Sequence, residues 1–487
     1  MGNNRRFTNG TKERRGYGRC GTTGADSIGG RKHPNPLAGS EDMSEKQRAS
    51  NFSLAIITLV LVGYYEVALA QTATEQLARD QRAAFRPRPE RGETVTNRPR
   101  PELDRLGVRA GGLFIYPRLG LQEFYNDNIF ATDSDEEDDF ITLVSPRVDV
   151  ASDWTQHAFD LYAKAAIGRH ADQTEEDFED FSVGTNGRLD ITQRAKLRAG
   201  VSYDRLHEGR GSPDDDRRQG GSPPVELTLF DVGSVFLTYQ QRLGRFLLES
   251  GGEVDRLDYD NVSREDGTII NNDERDRAIY AGNLKIGYEF MPGYTAFTRG
   301  EVDYRRYDDL CCDDPPNQFD RDSQGYLIEV GTDFDVTAVL LGDVAIGYRS
   351  QDYDDPSFDT IGDVAGRASL TWNPTGLTTV SALITRGEVI ETTLSGSAAI
   401  FETAGRVTVD HELLRNLLLQ AAVSVSDEDF QDVDRSDTYV RAGFGAKYLM
   451  NRYIQLDLSY DYLSLGSGAQ GGDFTNNTVF LGALFRI

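Results

Sequence analysis

The chain has 487 residues, with 52 Lys and Arg against 79 Asp and Glu, a formal charge of −27 and 38% hydrophobic residues. This acidity excludes nucleic acid as a partner, because phosphate binding takes clustered Lys and Arg. A mean hydropathy of −0.50 with a single long apolar run excludes a bundle of membrane helices.

Phe52 to Tyr65 is that apolar run, 14 residues long, preceded by Lys46 and Arg48 and followed by Ala68-Leu69-Ala70. A basic flank, a short apolar stretch and an A-x-A site predict a secretory signal peptide over 43–70, cleaved after Ala70. Residues 1–42 are Gly- and Arg-rich without periodicity. A start at Met43 gives a signal of ordinary length, so 1–42 is expected to be a mis-assigned upstream extension, with a long basic leader as the alternative. Removing 1–70 also removes Cys20 and leaves Cys311-Cys312, an adjacent pair without a disulfide framework, expected to be a local loop feature.

Residues 71–112 are rich in Arg and Pro (Arg86-Pro87-Arg88-Pro89, Arg98-Pro99-Arg100-Pro101) and lack apolar periodicity. They are expected to form an extended periplasmic segment, with room for a short helix around Ala73–Ala84.

From Leu113 to the end the chain repeats one pattern, apolar and polar residues alternating over runs of about ten residues, as in strands with two different environments. Near the C-terminus Val479, Leu481, Ala483, Phe485 and Ile487 oppose Thr478, Phe480, Gly482, Leu484 and Arg486. Just upstream, Leu456, Leu458 and Tyr460 oppose Gln455, Asp457 and Ser459. Short connections with turn residues, such as Met291-Pro292-Gly293 and Asn373-Pro374-Thr375-Gly376, alternate with long acidic ones, such as Tyr125–Asp139, His207–Pro224 and Asp308–Asp322. Short turns on one rim and long loops on the other match an outer-membrane barrel.

The fold class predicted is therefore all-β, a transmembrane antiparallel up-and-down outer-membrane β-barrel over 113–487. The count is about 18 strands, beginning near Leu113, Phe140, His157, Phe181, Ala195, Leu227, Arg245, Arg277, Tyr294, Gln324, Ala338, Ile361, Leu377, Ala398, Leu417, Thr438, Tyr453 and Thr478. Alternation blurs in the sixth and thirteenth, where a miscount would arise. A soluble sandwich or propeller fits less well, for want of a regular blade motif.

Eighteen strands enclose an aqueous lumen. The predicted inward face mixes both charges: Arg118, Arg147, Lys164, Arg188, Arg198, Arg299, Arg367, Arg406 and Arg441 with Glu249, Glu253, Glu301, Asp303, Glu329 and Asp457. These are the pore-lining candidates, since an Arg or Lys facing lipid costs roughly 2–4 kcal/mol at the midplane. They either hydrate and brace the wall or line a path for a polar solute. Tyr116, Tyr162 and Phe480, also predicted inward, suit either sugar-ring stacking or filling of the lumen. His207–Pro224 is long enough to fold inward and narrow a passive pore.

The acidic run Asp133–Asp139 lacks the ligand spacing of an EF-hand and is expected to be a solvated loop beside lipopolysaccharide. The four histidines of the mature chain, His157, His170, His207 and His411, are scattered, and no nucleophile elbow or metal-ligand spacing accompanies them. No enzyme, cofactor or metal is therefore expected.

The opening of the barrel carries a resemblance. Ile115-Tyr116-Pro117-Arg118-Leu119 leads to Tyr125-Asn126-Asp127-Asn128-Ile129-Phe130 and then to Asp139-Phe140-Ile141-Thr142-Leu143-Val144-Ser145-Pro146. This resembles the beta-barrel porin 2 family of bacterial outer membranes, associated with capsule and exopolysaccharide synthesis. The resemblance implies export of an exopolysaccharide or capsular polysaccharide across the outer membrane of a Gram-negative bacterium, with periplasmic polysaccharide-assembly proteins and the polymer as partners. It carries over no catalytic residues, and the Tyr-Asn-Asp-Asn segment is expected to shape the first outer loop. The alternative is a general or nutrient-uptake diffusion porin, or a structural or adhesive barrel. In either case outer-membrane lipid, lipopolysaccharide and the barrel-insertion machinery are the expected partners, the last reading the final strand through Phe485 and Ile487.

Overall fold

The computed structural model describes residues 93–213, 224–310, 318–336, 339–392, 396–469 and 472–487. The predicted signal peptide, the upstream extension, the Ala73–Ala84 helix and Cys311-Cys312 lie outside the described residues.

Eighteen antiparallel strands form the wall: β1 Leu113–Asn126, β2 Asp139–Ser152, β3 Ala158–His170, β4 Phe178–Thr192, β5 Ala195–His207, β6 Leu229–Leu243, β7 Phe246–Tyr259, β8 Arg277–Met291, β9 Tyr294–Tyr307, β10 Ser323–Asp335, β11 Leu340–Tyr353, β12 Ile361–Thr375, β13 Thr378–Ile390, β14 Ile400–Leu414, β15 Leu417–Phe430, β16 Arg435–Leu449, β17 Ile454–Ser467 and β18 Phe474–Arg486. Each pairs with its neighbours in sequence, and β1 pairs with β18, so the sheet closes on itself and has no edge strand. Fourteen-residue strands are long enough to cross a bilayer at the usual tilt.

The outward face explains why the chain tolerates a membrane. Val201, Val235, Leu237, Leu284, Ile286, Ile328, Val330, Ile346 and Leu481 form an exposed aliphatic band. On its long-loop side stand Phe181, Tyr203, Tyr280, Tyr304, Tyr326 and Tyr348, and on its short-turn side Trp154, Phe246, Phe290, Trp372 and Tyr453. Two aromatic girdles flanking an apolar band are what an outer-membrane barrel presents to lipid. Outward charges occur past the upper girdle as pairs, such as Arg205 with Asp231 at 2.9 Å and Arg306 with Asp322 at 3.2 Å. The short-turn rim is the periplasmic one in barrels of this kind.

Closure depends on the ends of the wall. Pro117 lies on β1 between the stretch paired with β18, which begins at Arg118, and a short strand Val108–Ala110 that pairs with Leu113–Ile115. Its missing N–H therefore falls where that ladder is interrupted, a position proline tolerates. At the outer end Asn126, Asp127 and Asn128 clasp β18. Asp127 accepts the backbone N–H of Asn477 at 2.6 Å and its side-chain amide at 2.7 Å, and Asn126 accepts from the Asn476 amide at 2.6 Å. Asn128, 1% exposed, donates to the carbonyls of Thr132 and Thr475 at 2.7 and 2.9 Å and accepts from the Thr132 N–H at 3.0 Å. The motif thus shapes the first outer loop and also fastens the first strand to the last. Asn128→Ala removes these three partly buried hydrogen bonds and a longer one from Thr132 Oγ1 at 3.4 Å, and is expected to cost roughly 3 kcal/mol at about 1 kcal/mol for each of the three, read as a lower urea midpoint of the refolded barrel. An unchanged midpoint would remove the clasp from this account.

Candidate functional site: the inner face and its two mouths

Alternation sends every second residue inward, and all fifteen charged candidates fall on that inward face. Most stand in ion pairs along the wall. Asp303 meets Arg305 at 3.1 Å and Arg349 at 2.6 Å, and Glu301 meets Arg349 at 3.4 Å. Arg299 pairs with Glu329, and Arg367 with Asp343 at 3.1 Å. Arg188 reaches Asp190 at 3.0 Å, while Arg147 and Arg118 share Asp149 at 2.8 and 3.5 Å. Glu249 and Asp457 accept from Gln240 and Gln455 at 2.7 and 2.9 Å.

The remaining candidates are placed by register. Lys164 stands opposite Arg147, and Arg198 opposite Arg188. Glu253 faces Phe236, and Arg406 and Arg441 flank Ser424 from either side. Asn283 on the same inward face is exposed, so solvent reaches the lumen at the height of Gly251 and Glu301, its register partners.

Sequence reasoning missed Arg349, Asp343, Lys285 and Lys447 on this face. The alternation Asp343-Ala345-Gly347-Arg349 against Val344-Ile346-Tyr348 carried the signal for the first two.

The outer half of the lumen holds apolar clusters among its buried ion pairs. Phe124, Ile141, Leu143, Phe178, Leu227 and Phe480 form one buried cluster, and Phe230, Val232, Leu257 and Tyr259 another. Connections fold into the outer mouth as well: Ala398 and Ala399 of the β13–β14 connection are fully buried in a third cluster with Tyr353, Phe358, Ile361, Val389 and Phe401, and Ile129 and Phe130 are nearly so. Phe480, packed on Phe124 at 4.9 Å between ring centroids, fills the mouth rather than presenting a stacking face. Tyr116 and Tyr162 instead carry guanidinium groups, Arg105 at 4.4 Å and Arg147 at 5.6 Å.

One loop goes furthest. After β5 the chain enters the mouth held by two buried ion pairs, Glu208 with Arg275 at 2.7 Å and Arg210 with Glu176 at 2.7 Å. Its Gly211 carbonyl accepts the Tyr439 hydroxyl of β16 at 3.2 Å, seven strands round the wall from β5. Gly211 has φ +80°, and a Cβ there would come within 2.7 Å of the Phe474 ring and 2.8 Å of the Ala131 Cβ. A side chain has neither the space nor the backbone conformation at this point.

The periplasmic mouth is narrowed from the other side. Residues 93–107, part of the stretch expected from sequence to be an extended periplasmic segment, form a strap along the inner wall from the β12–β13 turn to β2. The Val95 N–H donates to Thr379 Oγ1 at 2.9 Å, and Val95 is 1% exposed. Arg100 is buried against Glu412 of β14 at 2.7 Å and donates to the Val95 carbonyl at 2.8 Å. Arg486 of β18 donates to the Leu103 carbonyl at 3.3 Å, and Arg105 pairs with Asp149 of β2 at 3.2 Å. Arg100 and Glu412 are 312 residues apart, and nothing local in the sequence announces their meeting.

Asp276 closes the outer β7–β8 loop by accepting the Tyr259 N–H at 2.7 Å. Burial pushes its carboxyl up to about 6, with repulsion from Asp258 adding to the rise and the Tyr259 N–H opposing it. Because the folded value lies above the unfolded one, near 3.9, the stabilising contribution of protonated Asp276 is complete below about pH 4 and is lost as pH rises through about 6. Amide exchange across 260–276 is expected to be slower at about pH 5 than at about pH 7 after correction for intrinsic rates, and Asp276→Asn is expected to abolish the difference. A pH-independent protection pattern in the parent would contradict this assignment.

The family model described as "Putative beta-barrel porin 2" matches residues 100–487. The chain belongs to that family. No curated protein sequence matches it. Among solved structures it is similar to OpdO of Pseudomonas aeruginosa, at 15% identity and a TM-score of 0.40, covering 77% of this chain and 97% of that one. It is also similar to OpdK of Pseudomonas aeruginosa, at 11% identity and 0.40, covering 77% and 99%, and to the copper transporter OprC, at 10% identity and 0.44, covering 79% and 84%. The family match and the closed, girdled wall make this a porin-like outer-membrane β-barrel. Its match begins inside the strap, so 100–107 belong to the family's pattern together with the wall.

Proposed function

We propose that the barrel is a passive channel for small polar solutes in the outer membrane of a Gram-negative bacterium, with the charged inward residues as its pore lining. The observation that carries this reading is the segment 208–213 after β5, which enters the outer mouth and ends on Tyr439. An inward loop that leaves a solvated wall below it sieves solutes by size, a task a diffusion pore has to perform. Export of a long polysaccharide rests on the family resemblance alone, and the narrowing at both mouths favours small solutes over a polymer. Lipid and lipopolysaccharide are the partners that the girdled outer face suits.

Liposome swelling tests this reading. Vesicles carrying the mature chain, residues 71–487, are expected to swell quickly in monosaccharide and progressively more slowly as the sugar lengthens. Vesicles that pass no sugar at all, or that pass long glycans as readily as glucose, would contradict it.

A further inference from the structure

The seam between β12 and β13 is complete on its periplasmic side and incomplete on its outer side. Its ladder ends with Gly366 opposite Arg386, although β12 runs on to Ile361. Among the described residues Ile361–Ala365 pair with β11 alone, Ile361 with Gln351 and Val364 with Tyr348 of the upper girdle. A bare strand edge is a template for pairing. On this one the Val364 N–H donates to the Asp363 side chain at 2.6 Å, a local bond of the kind that competes with a ladder.

β13 leaves the edge by turning inward. A bulge displaces the chain at Gly387, φ +104°, where a Cβ would come within 2.7 Å of the Ala365 Cβ and 3.7 Å of the Arg349 Cβ, both on the inner wall. The residues that follow cross the inner face of the wall from β12 to β9. There the Val389 carbonyl accepts from Arg305 at 3.1 Å, and Glu391 accepts from Arg305 and from the Tyr307 hydroxyl. Ser323 of β10 and Gln351 of β11, which face inward between these contacts, are fully buried, and Val389 packs with Tyr353, Phe358 and Ile361.

We propose that residues 387–391 are a gate with two resting places, one latched to β9 across the outer mouth, as in this structure, and one zipped onto the bare edge of β12. Continuing the register past Gly366 and Arg386 sets Gly387 against Ala365, Glu388 against Val364 and Glu391 against Ile361. The edge then offers ladder hydrogen bonds in place of those lost with the latch. Two packed arrangements of one segment make a discrete switch and not a graded deformation. Latched, the segment occupies the mouth; zipped, it completes the wall and leaves the lumen wider. The gate rests on the channel reading and names the element that regulates it.

The test is the double variant Val364→Cys, Glu388→Cys, with Cys311→Ser and Cys312→Ser removing the other thiols of the chain from residue 71 to 487. Val364 is exposed on the lipid side, and Glu388 stands opposite the inward, buried Glu402. The two therefore point to opposite sides of the wall while the gate is latched and to the same side once it is zipped, and only the second arrangement allows a disulfide. In planar bilayers oxidation is expected to hold the barrel at a conductance at least about twofold above the parent's main level, and reduction to return it. Glu391→Ala removes the latch, and Gly387→Ala puts a Cβ where the latched chain has neither the space nor the backbone conformation for one. Each is expected to lengthen the time spent at the higher level at least about tenfold, the equivalent of 1.4 kcal/mol; together with the cysteine pair they cover the case in which one variant does not refold. Folded, heat-modifiable barrel that forms no disulfide on oxidation, or a disulfide that leaves the conductance unchanged, would overturn the gate. A parent that gives no steps would sink the channel reading instead. Mass spectrometry of the oxidised, detergent-solubilised barrel then decides the movement on its own, a linked pair supporting it and free thiols overturning it.

Discussion

Gly211→Val is expected to raise single-channel conductance at least about twofold, since it lifts a plug from a wide 18-stranded lumen. The substitution acts in two ways at once. A β-branched residue resists φ +80°, and its Cβ would sit 2.7 Å from the Phe474 ring. The Phe474 side of this contact is buried with Tyr439 and Leu465 and cannot move aside cheaply. The chain at Gly211 therefore has to leave the wall and lose its bond to Tyr439, while the ion pairs at Glu208 and Arg210 keep the residues just before it anchored. Tyr439→Phe removes the hydroxyl alone, worth about 1 kcal/mol, and is expected to give brief openings to the higher level rather than a permanent one. Conductance in Gly211→Val equal to that of the parent would mean that this loop does not limit the pore.

Arg100→Ala is expected to free the periplasmic strap and to destabilise the barrel by roughly 3 kcal/mol. The Arg100 and Glu412 side chains are 3% and 6% exposed, and removing one partner of a buried pair costs about 3–5 kcal/mol because the other charge stays in place. The lower end applies because Arg98 at 3.5 Å still reaches Glu412. Two readings check this: a fall in the urea midpoint, and new trypsin cleavage after Arg105, the strap arginine not followed by proline. Glu412→Gln on top of Arg100→Ala is expected to recover part of the loss, since no charge is then stranded, and the double-mutant cycle isolates the pair. A strap that remains protease-resistant in Arg100→Ala would show that its other contacts hold it without the pair.

Much of the wall was legible in the sequence because a barrel strand obeys one local rule, alternation. All 18 strands begin within a few residues of the expected positions. The last begins at Phe474 rather than near Thr478, because Phe474 faces inward under the loops and Asn476 and Asn477 serve the clasp, which hides the alternation there. The blurred thirteenth strand contains a register shift between Arg386 and Glu388, with Gly387 between them at φ +104°. One extra residue turns the pattern over and defeats a period-two reading. The sixth is regular, but near the top Phe230 and Val232 point inward into a loop-covered cluster while Asp231 faces outward, so the apolar and polar faces change places along the strand.

The site was less legible for the same physical reason. Inward charge follows from alternation, but the rank of one inward residue beside another follows from register, which sets Arg118 against Arg147 and Glu249 against Lys285. Register depends on turn geometry and on bulges that composition does not reveal. The strap was beyond reach altogether. Its anchors, Val95 to Thr379 and Arg100 to Glu412, join positions some 300 residues apart in a stretch whose prolines imitate a free linker.

The account rests on the barrel being an aqueous channel, and planar-bilayer recording of the refolded chain from residue 71 to 487 tests that most directly. The expected result is a uniform family of steady conductance steps that appears only with material whose electrophoretic mobility changes on heating, the mark of a folded barrel. Folded, heat-modifiable protein that inserts yet gives no steps over a wide range of voltage would contradict the account and leave a structural barrel in its place.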